Sequence, residues 1–249
     1  MSITSDVLIA LAGFGAGMVN TIVGSGSLIT FPTLLALGYS PLVANVSNTL
    51  GLVPGSASGA YGYRRELAGQ RDRVVKLGIV AIFGGVFGAF LLVTYPGAFQ
   101  KVVPYLILMA VVLMAVQPRI SRSLAKRSSR GVESSVLYGG VFATAVYGGY
   151  FGAAQGVVLM ALLAIGLDDS LQRLNGLKNV LAGLVNGIAA IFFIFVTHVE
   201  YIPVVLIAIS STLGAQVGAH FGRKIPPKIL RAVVISVGIL VALKLIFLS

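Results

Sequence analysis

The stretch Tyr147-Gly148-Gly149-Tyr150-Phe151-Gly152-Ala153-Ala154-Gln155-Gly156 lies in the middle of an apolar run covering 133–165. As one straight helix, at about 1.5 Å per residue, that run would measure near 50 Å, far more than the roughly 30 Å of a bilayer core. Its glycine cluster predicts a break. The basic residues decide where the chain goes afterwards. Fourteen of the 18 Lys and Arg residues fall in three groups: Arg64, Arg65, Arg71, Arg73 and Lys76; Arg119, Arg122, Lys126, Arg127 and Arg130; and Arg223, Lys224, Lys228 and Arg231. The cationic bias of cytoplasmic loops puts all three on that side.

Helical stretches are expected over about 5–37, 41–62, 74–95, 98–117, 133–165, 170–197, 202–221 and 227–248. If each crossed the membrane once, three crossings would separate the second and third basic groups and place them on opposite sides. The charge rule holds if 133–165 enters, turns at its glycines and leaves where it came in. That stretch is read as re-entrant. The run 5–37 is also too long and carries Gly24-Ser25-Gly26, which predicts a second break.

Composition agrees with a polytopic helical membrane protein. The 249 residues are 57% hydrophobic and only 10% charged, against about 25% charged in soluble proteins. A transmembrane barrel would alternate over segments of about ten residues, whereas Tyr105 to Val116 is apolar on every side. The net charge of +11 is concentrated in the loop groups, so it reads as topology and not as a nucleic-acid surface. The absence of Cys and the presence of only two His argue against disulfide, thiolate and conventional metal chemistry, and no cofactor is expected. Asp6 and the lack of a basic start mark the first apolar stretch as one that stays in place.

The two halves echo each other. Gly84-Gly85-Val86-Phe87-Gly88-Ala89 aligns with Gly214-Ala215-Gln216-Val217-Gly218-Ala219 at an offset of 130, as do Pro96 with Pro226 and Lys101 with Arg231. Leu35-Ala36-Leu37-Gly38 aligns with Leu163-Ala164-Ile165-Gly166 at an offset of 128, which sets Gly24 against Gly152. Each half, 1–127 and 128–249, is then one broken element plus about three crossings. An odd number of crossings inserts the halves in opposite orientations. The expected fold is therefore an all-α membrane protein of two inverted-topology repeats, with both termini outside the cytoplasm. Such repeats hold substrates near the midplane where discontinuous helices meet.

The polar residues at the breaks are the candidate site. Asn20, Thr21, Gly24, Ser25, Gly26 and Ser27 interrupt the first apolar stretch, and a half-helix beginning there would aim its N–H groups at an anion. A tight helix contact uses the same small residues but does not need Asn20 and Thr21. In the second half Gln155 stands opposite Ser27, either as a substrate contact or as a hydrogen bond holding the break. Asn45 and Asn48 share one helix face, as do Asn175 and Asn179, so the pairs can converge on one cavity. Lys178 lies about eight residues, roughly 12 Å, from the polar loop at Asp168-Asp169. Ionisable groups at such depth are functional by default, the alternative being that Lys178 snorkels to the interface. His220 and Lys244 read as interfacial, and the glycine stripes as packing or a homodimer contact.

These residues resemble the TauE/SafE family of membrane transporters, also called sulfite exporters. The resemblance is carried by Gly24-Ser25-Gly26-Ser27-Leu28-Ile29-Thr30-Phe31-Pro32, Ala44-Asn45-Val46-Ser47-Asn48-Thr49, Pro54-Gly55-Ser56 and Leu174-Asn175-Gly176-Leu177-Lys178-Asn179. It implies a bacterial-type inner-membrane carrier for sulfite or organosulfonates, driven by a proton or sodium gradient or by the membrane potential. Gly24, Gly26, Ser27, Asn45, Asn48, Asn175 and Asn179 match the family's positions, while Ser25 interrupts a glycine triplet. Two rivals stand beside alternating access. An anion channel would share the same site chemistry. An intramembrane serine hydrolase would need Ser25 with His198 or His220, and no carboxylate lies at midplane depth to orient them.

Overall fold

The computed structural model describes residues 3–125, 134–221 and 227–247, and over them the chain is all-helical. Ten helices follow among the described residues: α1 (Ile3–Ile22), α2 (Ser27–Ala36), α3 (Pro41–Gly62), α4 (Arg71–Thr94), α5 (Pro96–Ala125), α6 (Ser134–Tyr150), α7 (Gln155–Gly166), α8 (Leu171–Val196), α9 (Tyr201–Phe221) and α10 (Pro227–Phe247). Five of these are long and apolar enough to cross a membrane: α1, α4, Pro96–Arg119 of α5, α8 and α9. Their outer faces stay apolar, with Phe83 67% and Phe195 82% exposed, an arrangement suited to hydrocarbon as solvent.

Both overlong stretches break at their glycines. The chain turns through Val23–Gly26 between α1 and α2, and through Phe151–Ala154 between α6 and α7. Gly24 (φ +87°) and Gly152 (φ +75°) adopt the left-handed conformation at these turns, which glycine enters without a Cβ clash. Ala154 also sits at φ +58°, a conformation that is strained for a residue with a Cβ. The α6–α7 element folds back on itself, since Gly166 at the end of α7 packs against Leu137 near the start of α6. In the first half, burial and then the Glu200 and Asp6 carboxylates push the Tyr39 phenol up.

Local signals explain the helix starts. Ser40 caps α3, its Oγ accepting from the Val43 amide at 3.4 Å, and Pro41 follows at the first helical position. Ser170, at the same offset of 130, caps α8 by accepting from the Arg173 amide at 3.4 Å. The second basic group differs from its reading as a loop, because α5 continues through Pro118 and Arg119 to Ala125. Lys126, Arg127 and Arg130 lie outside the described residues, as do Arg223 and Lys224.

Packing follows the small-residue stripes. α1 lies along α9 and α6 along α4, while α3 and α8 pack on each other at the centre. A Cβ at Gly214 would come 2.0 Å from the Phe14 carbonyl oxygen, and one at Gly218 2.8 Å from that of Met18. On the other side, Gly84 and Gly88 stand in the same relation to the carbonyl oxygens of Phe142 and Val146, at 2.7 and 2.0 Å. Only glycine permits backbones to approach this closely. One contiguous apolar cluster surrounds both breaks, including Val23, Phe31, Phe99, Phe151, Ala154 and Val157.

Candidate functional site where the helix breaks meet

The two breaks are in direct contact. The Gly156 amide at the start of α7 donates to the Gly24 carbonyl at 3.0 Å. A Cβ at Gly24 would lie 2.6 Å from Gly156 Cα, and one at Gly156 2.5 Å from Gly24 Cα. Phe151 braces the junction edge-on against Phe31, with ring centroids 5.2 Å apart. The Tyr147 hydroxyl, donating to the Ala153 carbonyl at 2.6 Å, fixes the second turn.

Polar groups from the opposite half surround each break. Lys178 on α8 is only 1% exposed, and its Nζ donates to the Asn20 carbonyl at 3.4 Å. Asn175 and Asn179 donate to the Thr21 carbonyl at 3.3 and 3.4 Å. These carbonyls belong to the last turn of α1, where helix oxygens lack intrahelical donors and carry the negative end of the dipole. Asn45 on α3 performs the reciprocal task, donating to the Tyr150 carbonyl at the end of α6 at 3.0 Å. The three bonds from α8 are long for N–H···O contacts, so its donors are held in place without being saturated. No carboxylate among the described residues pairs with Lys178.

The remaining candidates divide between this centre and its packing. Asn48 accepts from the Thr30 hydroxyl on α2. Asn20 Nδ2 donates to Ser56 Oγ at 3.4 Å. Gln155 is buried against Gly148, and its Nε2 has no hydrogen-bond partner among the described residues. Ser25 turns toward α5, donating to Met114 Sδ at 3.3 Å. Gly26 packs on the Ala16 carbonyl, and Ser27 is buried at the first position of α2. The amides of Leu28 and Ile29 are taken by the Ser25 and Gly26 carbonyls, and that of Gly156 by Gly24. Neither histidine hydrogen-bonds Ser25 among the described residues: His198 is exposed in the α8–α9 connection, and His220 meets Phe221 edge-on in the last turn of α9.

Two buried residues of the centre were not among the candidate site residues, although Ser56 lies in the Pro54-Gly55-Ser56 motif. Asn186 follows Asn179 by seven residues on α8 and lies beside Gly152, its Oδ1 3.9 Å from where a Cβ there would stand. Its helical spacing from Asn175 and Asn179 was the available signal. Ser56 closes the inner end of an open cleft of about 240 Å³ between α3 and α8, with Asn179 opposite and Val53, Ala57, Ala60 and Val180 along the walls.

At the end of the molecule bearing the α3–α4 connection, Asp169 pairs with Arg73 at 2.7 Å and Arg173 at 2.8 Å. Gln70 Nε2 donates to the Arg173 carbonyl at 3.1 Å, and Arg173 to that of Ala68 at 3.0 Å. The two halves are thus tied by a polar network at that end as well as by the breaks in the middle.

A bundle of apolar helices with two touching breaks and a buried polar centre defines a multi-pass membrane protein of the transporter class. The chain belongs to the TauE/SafE sulfite exporter family, whose model matches residues 9–245. It is 26% identical over 235 residues to the probable membrane transporter protein YfcA of Escherichia coli strain K12, covering 93% of this chain and 86% of that one. The probable membrane transporter protein ORF9 of a Sinorhizobium species is 26% identical, covering 95% and 90%. A probable membrane transporter protein of Haemophilus influenzae is 24% identical, covering 99% and 97%. No solved structure matches the chain.

Proposed function

We propose that this chain is a secondary transporter that moves small sulfur-containing anions, such as sulfite or organosulfonates, by alternating access. The observation that carries the reading is Lys178, an ionisable amine buried without a carboxylate partner among the described residues and resting on the end of a broken helix. A buried cation is costly unless a counter-charge arrives, and an oxyanion supplies one. Asn175, Asn179 and the unpartnered Gln155 amide add neutral donors beside it. Gly24, Gly26, Ser25, Ser27, Asn20, Asn45 and Asn48 shape the breaks around that centre.

Residues 1–127 and 128–249 act as inverted repeats that rock about the junction. The paired packing of α1 on α9 and α6 on α4, through glycines at matching offsets, supports this. The basic segments 64–76, 119–130 and 223–231 face the cytoplasm, and the membrane is the inner membrane of a bacterial-type cell. A proton or sodium gradient or the membrane potential drives the cycle.

The test is the melting temperature of purified protein against sulfite, sulfate, alkyl sulfonates and carboxylates at constant ionic strength, because a ligand that binds only the folded state stabilises it by mass action. A saturable upward shift with sulfur anions supports the reading, and no shift with any anion overturns it.

A further inference from the structure

We propose that the cleft between α3 and α8 seats the hydrocarbon portion of the transported anion, so that this chain selects an oxyanion with a short, uncharged apolar tail over bare sulfite or sulfate. This deepens the transport reading and rests on it. The cleft measures about 240 Å³ and is walled by Val53, Ala57, Ala60, Val180 and Leu184, with Gly183 opening space on the α8 side. Only Ser56 and Asn179 among its lining residues are polar, and both belong to the central network. Ser56 accepts from Asn20, whose carbonyl receives Lys178, and Asn179 donates to Thr21 one residue along.

The cleft meets the central network at Ser56 and at Asn179, the neighbour of Lys178 on α8, and its chemistry changes from polar there to apolar along its walls. An anionic head near Lys178 and Asn179 leaves the rest of the ligand among alanine, valine and leucine side chains. A sulfite or sulfate ion has no group to fill that space. A tail with its own ammonium or hydroxyl would lose hydration there without a partner. A plain alkyl tail gains from each methylene it removes from water.

The experiment is competition against labelled sulfite on the purified full-length chain in nanodiscs, with methane-, ethane-, propane- and butanesulfonate, the matching alkanoates, and 2-hydroxyethane- and 2-aminoethanesulfonate. The expected result is an inhibition constant that falls about fourfold per added methylene, with no gain from the hydroxyl or ammonium tails. The alkanoates show whether the head must be a sulfonate. Ala57→Leu, which fills the cleft from an exposed position, should abolish the chain-length gain and leave sulfite competition unchanged, and Gly183→Val serves as a second filling variant. Sulfite binding with no chain-length gain overturns this inference alone. A gain that persists in both filling variants marks partition into lipid and also overturns it. So does a phospholipid that co-purifies with the wild type and is lost from both filling variants, because the cleft is then an acyl-chain seat. Failure of every anion to compete or bind overturns the transport reading itself.

Discussion

Gly156 donates its amide to the carbonyl of Gly24 at 3.0 Å, joining the two helix breaks backbone to backbone across the halves of the molecule. A side chain at either position would meet the other backbone inside 2.7 Å. Gly24→Ala carries a second penalty from its φ of +87°. Both alanine variants are expected to lose about 2–4 kcal/mol of stability, the range of backbone strain combined with overpacking. Gly187→Ala, with open space around the position, is the tolerated control. Thermal melting in detergent reads the difference.

The paired glycine contacts give a symmetric prediction. Gly88→Val and Gly214→Val each drive a side chain into a carbonyl oxygen 2.0 Å away, at the α4–α6 and α1–α9 contacts respectively. Comparable destabilisation of both, with Gly97→Val or Gly139→Val near neutral because nothing lies within 4 Å, is the expected outcome in a melting series.

Gln155→Leu separates a structural from a functional amide. The Nε2 group is buried and has no partner among the described residues, and such a group costs about 1–3 kcal/mol. The leucine variant should melt at the wild-type temperature or above it and yet lose transport. Loss of stability together with retained transport would make Gln155 a packing residue.

Much of this arrangement is legible in the sequence, for identifiable reasons. Gly24 and Gly152 stand out because a run too long for a bilayer must break, and the residues that turn it need a positive φ. Pro41 to Gly62 is bounded by a capping serine and by glycine and basic residues, and α3 has those limits. The continuation of α5 past Gln117 was hidden by Pro118 and Arg119, which read as a loop although the helix runs through both to Ala125. Lys178 stands out by its depth. Its partner, the Asn20 carbonyl, is a backbone atom from the other half, and no local pattern encodes a backbone acceptor. The same holds for Asn45 on Tyr150 and for the cleft, whose walls come from α3 and α8 together.

The polar network at the other end makes a pH prediction. Burial alone would push the Asp169 carboxyl up, but hydrogen bonds from Arg173, the Ser170 amide and Arg73 hold it below its usual value. A carboxyl lowered by folding contributes its full stabilisation above the unfolded value of 3.8 and loses it as pH falls through the folded one. Stability should therefore be insensitive to this group near neutrality and decline in strong acid. Asp169→Asn should remove that acid-side decline and lower stability at neutral pH by about 1 kcal/mol, a modest figure because both arginines are about a third exposed. Melting temperature against pH for the two proteins checks it.

The most direct test of a carrier that holds its anion at Lys178 is counterflow of labelled sulfite or ethanesulfonate into proteoliposomes preloaded with the unlabelled anion. Wild-type protein is expected to give saturable counterflow, and Lys178→Ala to lose it by tenfold or more, or about 1.4 kcal/mol, while melting no lower than the wild type. Undiminished, saturable counterflow in Lys178→Ala would contradict the assignment of the site, and flux that neither saturates nor shows counterflow would contradict the carrier.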